Sequence, residues 1–234
     1  MDKWQCRIAP SLGGGFAGTP NETWGTVDYT DKDKPACFFG MYGLNDFVVF
    51  QQHKGEKAIF WAGTDILHFI NGYWIDREGL IKVNPMPFAQ YFKGFNNYCE
   101  NQVEAANLLK FGIHANIVPS FLGDVTKFPV SFKYSERPKV YASVSGDNFE
   151  VYGWDKIEEI AECVPEVEFH LYGNKKEWKT NNPNVIVHGR VSQEQMDSEI
   201  KEMACGLRVL EHDGCSEIMV KSILWGGYPI TKIR

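Results

Sequence analysis

The chain has 234 residues, of which 44% are hydrophobic, 23% charged and 14% aromatic. That length suggests one large or two compact domains with a sizeable core, and the composition excludes wholesale disorder. With 24 basic and 30 acidic residues the formal net charge is −6, which argues against a phosphate-tracking nucleic-acid binder. No run approaches the roughly 18–20 apolar residues of a membrane span. The acidity is uneven: residues 1–133 hold twelve basic and thirteen acidic residues, residues 134–234 twelve and seventeen. An anionic ligand in the second half therefore needs backbone amides and well-placed cations. The aromatic surplus suggests rings lining pockets or interdomain faces. Six cysteines show no C-x-x-C spacing, with Cys163 and Cys205 on expected apolar faces, and the opening MDKWQCRIAP has no signal-like apolar stretch. A reduced, cytoplasmic protein is the expectation.

In chain order, the first half is the less regular. Gly13-Gly14-Gly15 follows a short apolar run at 6–9; such a triplet cradles an anion or serves as a flexible loop, and it lacks a nucleotide-loop spacing. Strands are predicted at Ala36–Phe39 and 58–61, followed by the turn Gly63-Thr64-Asp65. Asp65 and His68 share a face if a helix begins there, unless Asp65 merely caps it. Val103, Ala106 and Leu109 predict a helix over 100–110 with Gly112 as its cap, and a strand returns at 113–118. This is α/β with few strands and long loops. A polar stretch ending in Pro138 places the boundary near 130–138, hence domains 1–133 and 134–234.

The second half is more legible. Lys139–Ser143 reads as a buried strand, and Trp154, Ile157, Ile160 and Ala161 recur at helical spacing up to Pro165. Strands follow at 167–172 and 185–187. Ser192 with Gln195 makes a capping box for a helix striped by Met196, Ile200 and Met203, which Gly206 ends. A strand at 207–210, a helix at 215–224, an exit at Gly226-Gly227 and a last strand at Tyr228–Thr231 complete the series. Single helices between strands imply a parallel, doubly wound sheet.

The strongest chemical signal is Glu211-His212-Asp213-Gly214-Cys215-Ser216-Glu217 before an apolar helix. It gathers carboxylates, an imidazole and a glycine at a strand's carboxyl end and a helix start, where open α/β sheets bind ligands. Helix capping by Asp213 is the plainer alternative. Lys221 is one turn beyond Glu217, suiting either a surface ion pair or a phosphate contact. Arg190, after a strand, suits a diphosphate or simple exposure. No set of His, Asp or Cys has metal-ligand spacing, so no metal is expected.

These residues resemble the nucleotide-sugar-binding domain of GT-B glycosyltransferases, family 4 in particular. That family's usual run is a hydrophobic strand, E-G-F-G, an apolar helix containing a second Glu, then G-x-P and a strand. Here the matching run is Asp213-Gly214-Cys215-Ser216, the helix through Leu224, and Gly227-Tyr228-Pro229-Ile230. The segment from Val185 through the capped helix is similar to the family's V-x-x-x-G-x-V-S-x-E-x-M region. The first half matches in outline, through FFGMYG and IFWAGTD. There are departures: Asp213 replaces the first Glu, and the family's spacing then lands on Lys221 rather than the second. The Arg and Lys that usually grip the diphosphate after the first strand are missing from residues 143–154, where Ser145, Gly146 and the nearby Lys156 are the closest substitutes. The chain is also short for the family.

The resemblance implies a GT-B-like fold of two Rossmann-like parallel-sheet domains, the first minimal and acceptor-side. It implies transfer of a sugar from a nucleotide-diphosphate donor to an acceptor, with retention, without metal or other cofactor. Asp213, His212, Asp65 and His68 are then the catalytic candidates. Glu211, Gly214, Cys215, Ser216, Glu217, Lys221, Arg190, Ser145, Gly14 and Gly15 are the donor-binding ones. The expected partners are a nucleotide sugar and an acceptor glycan, lipid or small molecule, with room for peripheral membrane contact and homo-oligomers. A non-catalytic binding or scaffold module, or an epimerase on the same fold, are the rival expectations.

Overall fold

The computed structural model describes residues 3–12, 18–76, 79–144, 148–173, 178–210 and 213–232. Gly13, Gly14, Gly15, Ser145, Gly146, Glu211 and His212 lie outside them. The chain divides into two compact units, Met1–Asp124 and Val125–Arg234. Residues just upstream of the expected boundary belong with the second unit: the amides of Ser131 and Phe132 donate to the Trp225 carbonyl, and Lys133 pairs with Glu202.

The first unit runs β1 (Gln5–Ile8), α1 (Pro20–Thr23), β2 (Val27–Asp28), β3 (Ala36–Phe39), α2 (Leu44–Gln52), β4 (Lys57–Phe60), α3 (Thr64–Ile70), β5 (Tyr73–Asp76), β6 (Gly79–Lys82), α4 (Pro85–Phe92), β7 (Asn96–Cys99), α5 (Gln102–Leu109) and β8 (Ala115–Ile117). Six strands form a parallel sheet in the order β2-β1-β3-β4-β7-β8, and β5-β6 is a separate antiparallel ribbon. The first half therefore carries more strands than its pattern suggested. They are short, and several, such as Asn96–Cys99, are too polar to show an apolar run.

The aromatic surplus fills this unit's core instead of lining a pocket. Phe38, Phe50, Trp61, Phe69, Trp74 and Phe92 are fully buried, and Trp74 stacks at a tilt on Phe88 with centroids 4.1 Å apart. Such pairs add about 0.5–1.5 kcal/mol each beyond their area.

The second unit runs β9 (Lys139–Ser143), α6 (Trp154–Cys163), β10 (Glu168–Tyr172), β11 (Val185–Gly189), α7 (Gln193–Ile200), β12 (Cys205–Arg208), α8 (Glu217–Leu224) and β13 (Tyr228–Thr231). Its sheet is wholly parallel in the order β11-β10-β9-β12-β13. Three local expectations need correction. Gly206 lies within β12, because the chain turns at 201–204 instead, and its amide donates to Ser222 Oγ at 3.0 Å. Cys163 is exposed, while Cys205 is buried. Only half of the capping box forms: Ser192 Oγ accepts from the Gln195 amide, but the Gln195 side chain turns to Glu199.

Candidate functional site

The second sheet grows from β9 through β10 to β11 on one side, then returns to place β12 and β13 on the other. Adjacent connections thus leave β9 and β12 in opposite directions, opening a crevice at their carboxyl ends. Open α/β sheets bind ligands at this switch point. Ser143 and Val144 form one lip, and the other runs from Arg208 to Leu210 and resumes at Asp213.

Arg208, the last residue of β12, is the charged centre of the crevice. Its Nε donates to Asp213 Oδ2 at 2.6 Å, and Nη1 reaches the Ser143 carbonyl at 3.4 Å across the switch. The guanidinium carbon lies 4.5 Å from the Tyr152 ring centre, a cation–π contact. The Arg208 and Asp213 side chains are 13% and 17% exposed. Asp213 Oδ1 also accepts from the Gly214 amide at 3.1 Å.

Gly153 closes the frame. It precedes α6 with φ of 66°, and a Cβ there would lie 2.4 Å from Val209 Cγ2, so only glycine lets the α6 turn lie against the chain leaving β12. Ser216 starts α8 without a side-chain bond to the helix amides, and Glu217 falls in the first turn.

The other donor-side cations are placed differently. Lys221 is 4% exposed, with Nζ 2.8 and 3.1 Å from the Asp197 carboxylate oxygens and 3.9 Å from Glu217. It joins α8 to α7. Arg190 is exposed after β11, with β10 standing between that strand and β9. Sequence reasoning missed Arg208, though a cation at the end of a central strand, five residues before Asp213, was a visible signal.

In the first unit, Asp65 and His68 both lie on α3 and have different surroundings. Asp65 is fully buried and accepts from the amides of Met41, Ala62 and Ile66 at 2.8, 2.9 and 2.7 Å. It ties the turn after β3 to the turn after β4; it is not the cap of α3, which starts from Gly63 with no side-chain cap. Burial pushes its pKa up to about 7 despite those amides, with Glu100 adding to the rise. His68 is half-buried, and burial lowers its pKa. Its ring lies edge-on to Tyr42, and Nδ1 has no hydrogen-bond partner among the described residues.

A cavity of about 650 Å³ at the carboxyl end of β1 is lined by Pro10, Ser11, Gly43, Asp46, Ile75 and Asp76, among others. Asp46 is held there by Arg7 at 2.8 Å and the Tyr42 amide at 3.1 Å. Volumes of this size suit small-molecule ligands.

A second cavity, about 580 Å³, is in the other unit between the 132–139 segment, β10 and the end of α7. His188, at the register shift between Leu171 and Tyr172, stacks on Tyr172 with centroids 4.3 Å apart. The His170 and His188 rings meet through nitrogens 2.8 Å apart; Glu168 flanks one end at 2.8 Å and Glu199 the other at 3.4 Å. Burial is the first cause that lowers both imidazole pKa values. Among the described residues no cluster of His, Cys, Asp and Glu could hold a metal ion, and no helix is long and apolar enough to cross a membrane.

No protein-family model matches the sequence, and no curated protein does. Solved structures do. A crystal structure of TarM aligns with a TM-score of 0.62 at 14% identity, covering 87% of this chain and 42% of that one. A variant of TarM from S. aureus, bound to fondaparinux, alpha-GlcNAc-glycerol and UDP, gives 0.59 at 13% identity over 86% and 42%. The pneumococcal O-GlcNAc transferase GtfA, bound to UDP and GlcNAc, gives 0.52 at 12% identity over 86% and 43%. The fold is therefore α/β of the GT-B-like kind, with Rossmann-like parallel sheets in both units. The chain spans less than half the length of these neighbours.

Proposed function

We propose that the protein is a glycosyltransferase that moves a sugar from a nucleotide diphosphate to an acceptor hydroxyl. The anomeric carbon leaves the β-phosphate oxygen and bonds to the acceptor oxygen, whose proton is released. The observation that carries this is the charged crevice at the β9/β12 switch point, at the place where the family 4 resemblance puts the donor. Support also comes from the UDP present in structures of this fold. Charge develops on the departing diphosphate, so a preorganised guanidinium lowers the barrier. Retention and independence from metal follow the family resemblance, as does the assignment of the 1–133 side to the acceptor.

A second reading has its own observation. Asp213 and Lys221, at the family's paired acid positions, are engaged in internal ion pairs with Arg208 and Asp197. That suits a module that binds a nucleotide sugar without turning it over.

The test is a thermal-shift panel of UDP, GDP, ADP and CDP and their sugar conjugates, with and without EDTA, followed by a transfer assay with the nucleotide that binds. One nucleotide class is expected to raise the melting temperature equally with and without chelator, and its sugar conjugate to be consumed. Binding without turnover leaves the module; no shift at millimolar nucleotide removes both.

A further inference from the structure

A cation would stabilise a diphosphate in this crevice, and the sequence from 143 to 154 contains no Lys or Arg. Lys156 is exposed on α6, Lys221 is taken up by Asp197, and Arg190 follows the edge strand β11. We propose that Arg208 is the phosphate-binding cation, supplied from β12 instead of the turn after β9, and that Asp213 is its positioning residue rather than a group touching the donor sugar. The inference rests on the nucleotide-diphosphate reading above.

The geometry favours it for three reasons. The guanidinium bridges the two sides of the switch, from Asp213 to the Ser143 carbonyl, so it is fixed where the strands part. A guanidinium has five N–H donors in one plane; Asp213 and Ser143 take two, and the rest have no partner among the described residues. Tyr152 under its face and Asp213 on its edge hold the plane still. A lysine, a mobile point charge, reproduces neither contact. Planar pairing with phosphate is the task for which that fork is suited.

The same geometry changes the meaning of Asp213. Its Oδ2 is on the guanidinium and its Oδ1 on the Gly214 amide, so both oxygens serve the frame of the loop.

The experiment uses the full chain and calorimetric titration with UDP, GDP, ADP and CDP, each beside its parent nucleoside. Wild type is expected to prefer one diphosphate over its nucleoside. Arg208→Gln raises the Kd of that diphosphate roughly 10- to 100-fold, the usual share of a charge-assisted hydrogen bond, and leaves nucleoside affinity unchanged. Arg208→Lys, which keeps a countercharge for Asp213, loses part of the preference and carries the measurement if the glutamine variant unfolds. Asp213→Asn weakens the diphosphate in the same selective way, whereas a sugar-contacting Asp213 would change only affinity for the sugar conjugate. An unchanged diphosphate-to-nucleoside ratio in the Arg208 variants overturns the inference and leaves the donor site standing. A wild type that does not distinguish diphosphate from nucleoside overturns the donor site, and the inference with it.

Discussion

Glu104→Gln is the substitution whose effect should reverse with pH. Glu104 is fully buried in the first turn of α5. Its Oε2 accepts from the Glu100 amide at 2.8 Å, while Oε1 has no partner among the described residues. Burial, followed by the Glu100 charge, raises its pKa from 4.5 to about 8. A carboxyl whose folded pKa is raised contributes stability that is fully present below about 4.5 and lost as pH climbs to about 8. At about 1.4 kcal/mol per pH unit the loss is on the order of 3–5 kcal/mol. The neutral amide removes that titration. The variant should therefore match or trail wild type at pH 5, where an amide adds an unmet donor, and exceed it at pH 8.5. Urea unfolding across this range, followed by tryptophan emission, is compared between the two proteins at each pH. Parallel pH slopes for the two proteins would show that Glu104 ionises in the ordinary range and would refute the reasoning.

The second unit should respond in the opposite sense. His170 and His188 have lowered pKa values, so the stability they contribute is present above about 6.5 and lost as pH falls through it. Glu168, Glu199 and Lys139 face the pair, and His188→Gln should flatten the slope in calorimetry. Asp213→Ala leaves the Arg208 guanidinium uncompensated and should cost about 3 kcal/mol, with Asp213→Asn costing visibly less in the melting temperature. Gly43→Ala places a Cβ 1.8 Å from the Ile75 carbonyl oxygen. It should separate the α2 start from β5 and destabilise the first unit by more than the ordinary ~1 kcal/mol of a point mutation, measured by urea midpoint.

The second unit was legible because its elements alternate cleanly. Val140, Tyr141 and Ala142 form one apolar run, and Trp154, Ile157 and Ala161 keep helical spacing. The first unit was not, because its strands are four residues or fewer in the parallel sheet and its helices are aromatic rather than evenly amphipathic. In α4, Phe88, Tyr91 and Phe92 keep helical spacing and pack on the core cluster, but the run is short and opens on Pro85 and Pro87, which read as a loop. The crevice was found from the Asp213-Gly214 loop, but its cation was not: a lone Arg within GLRVL looks like an exposed strand residue until Ser143 and Tyr152 are placed beside it. The paired imidazoles were equally invisible, since the pairing register that sets β11 beside β10 has no signature in sequence. Asp65 and His68 looked like partners by spacing alone, and of the three amides that claim Asp65, that of Met41 comes from a turn more than twenty residues away and those of Ala62 and Ile66 from beside it.

The seam between β9 and β12 has a consequence for folding. β9 meets β10 along all of Glu168–Tyr172, yet it meets β12 only through Cys205 and Gly206. The β9–β10–β11 side joins neighbours close in the chain, whereas β12 must return across more than sixty residues before it can pair. Loop closure of that length is slow, and short parallel pairing gives little in return. The sheet should thus assemble as a three-stranded half that later admits β12 and β13. Amides along this seam should be the first of the sheet to exchange with solvent. The crevice should then be the last part of the second unit to form, and a group that bridges Ser143 and Asp213 should act as a clasp on that line.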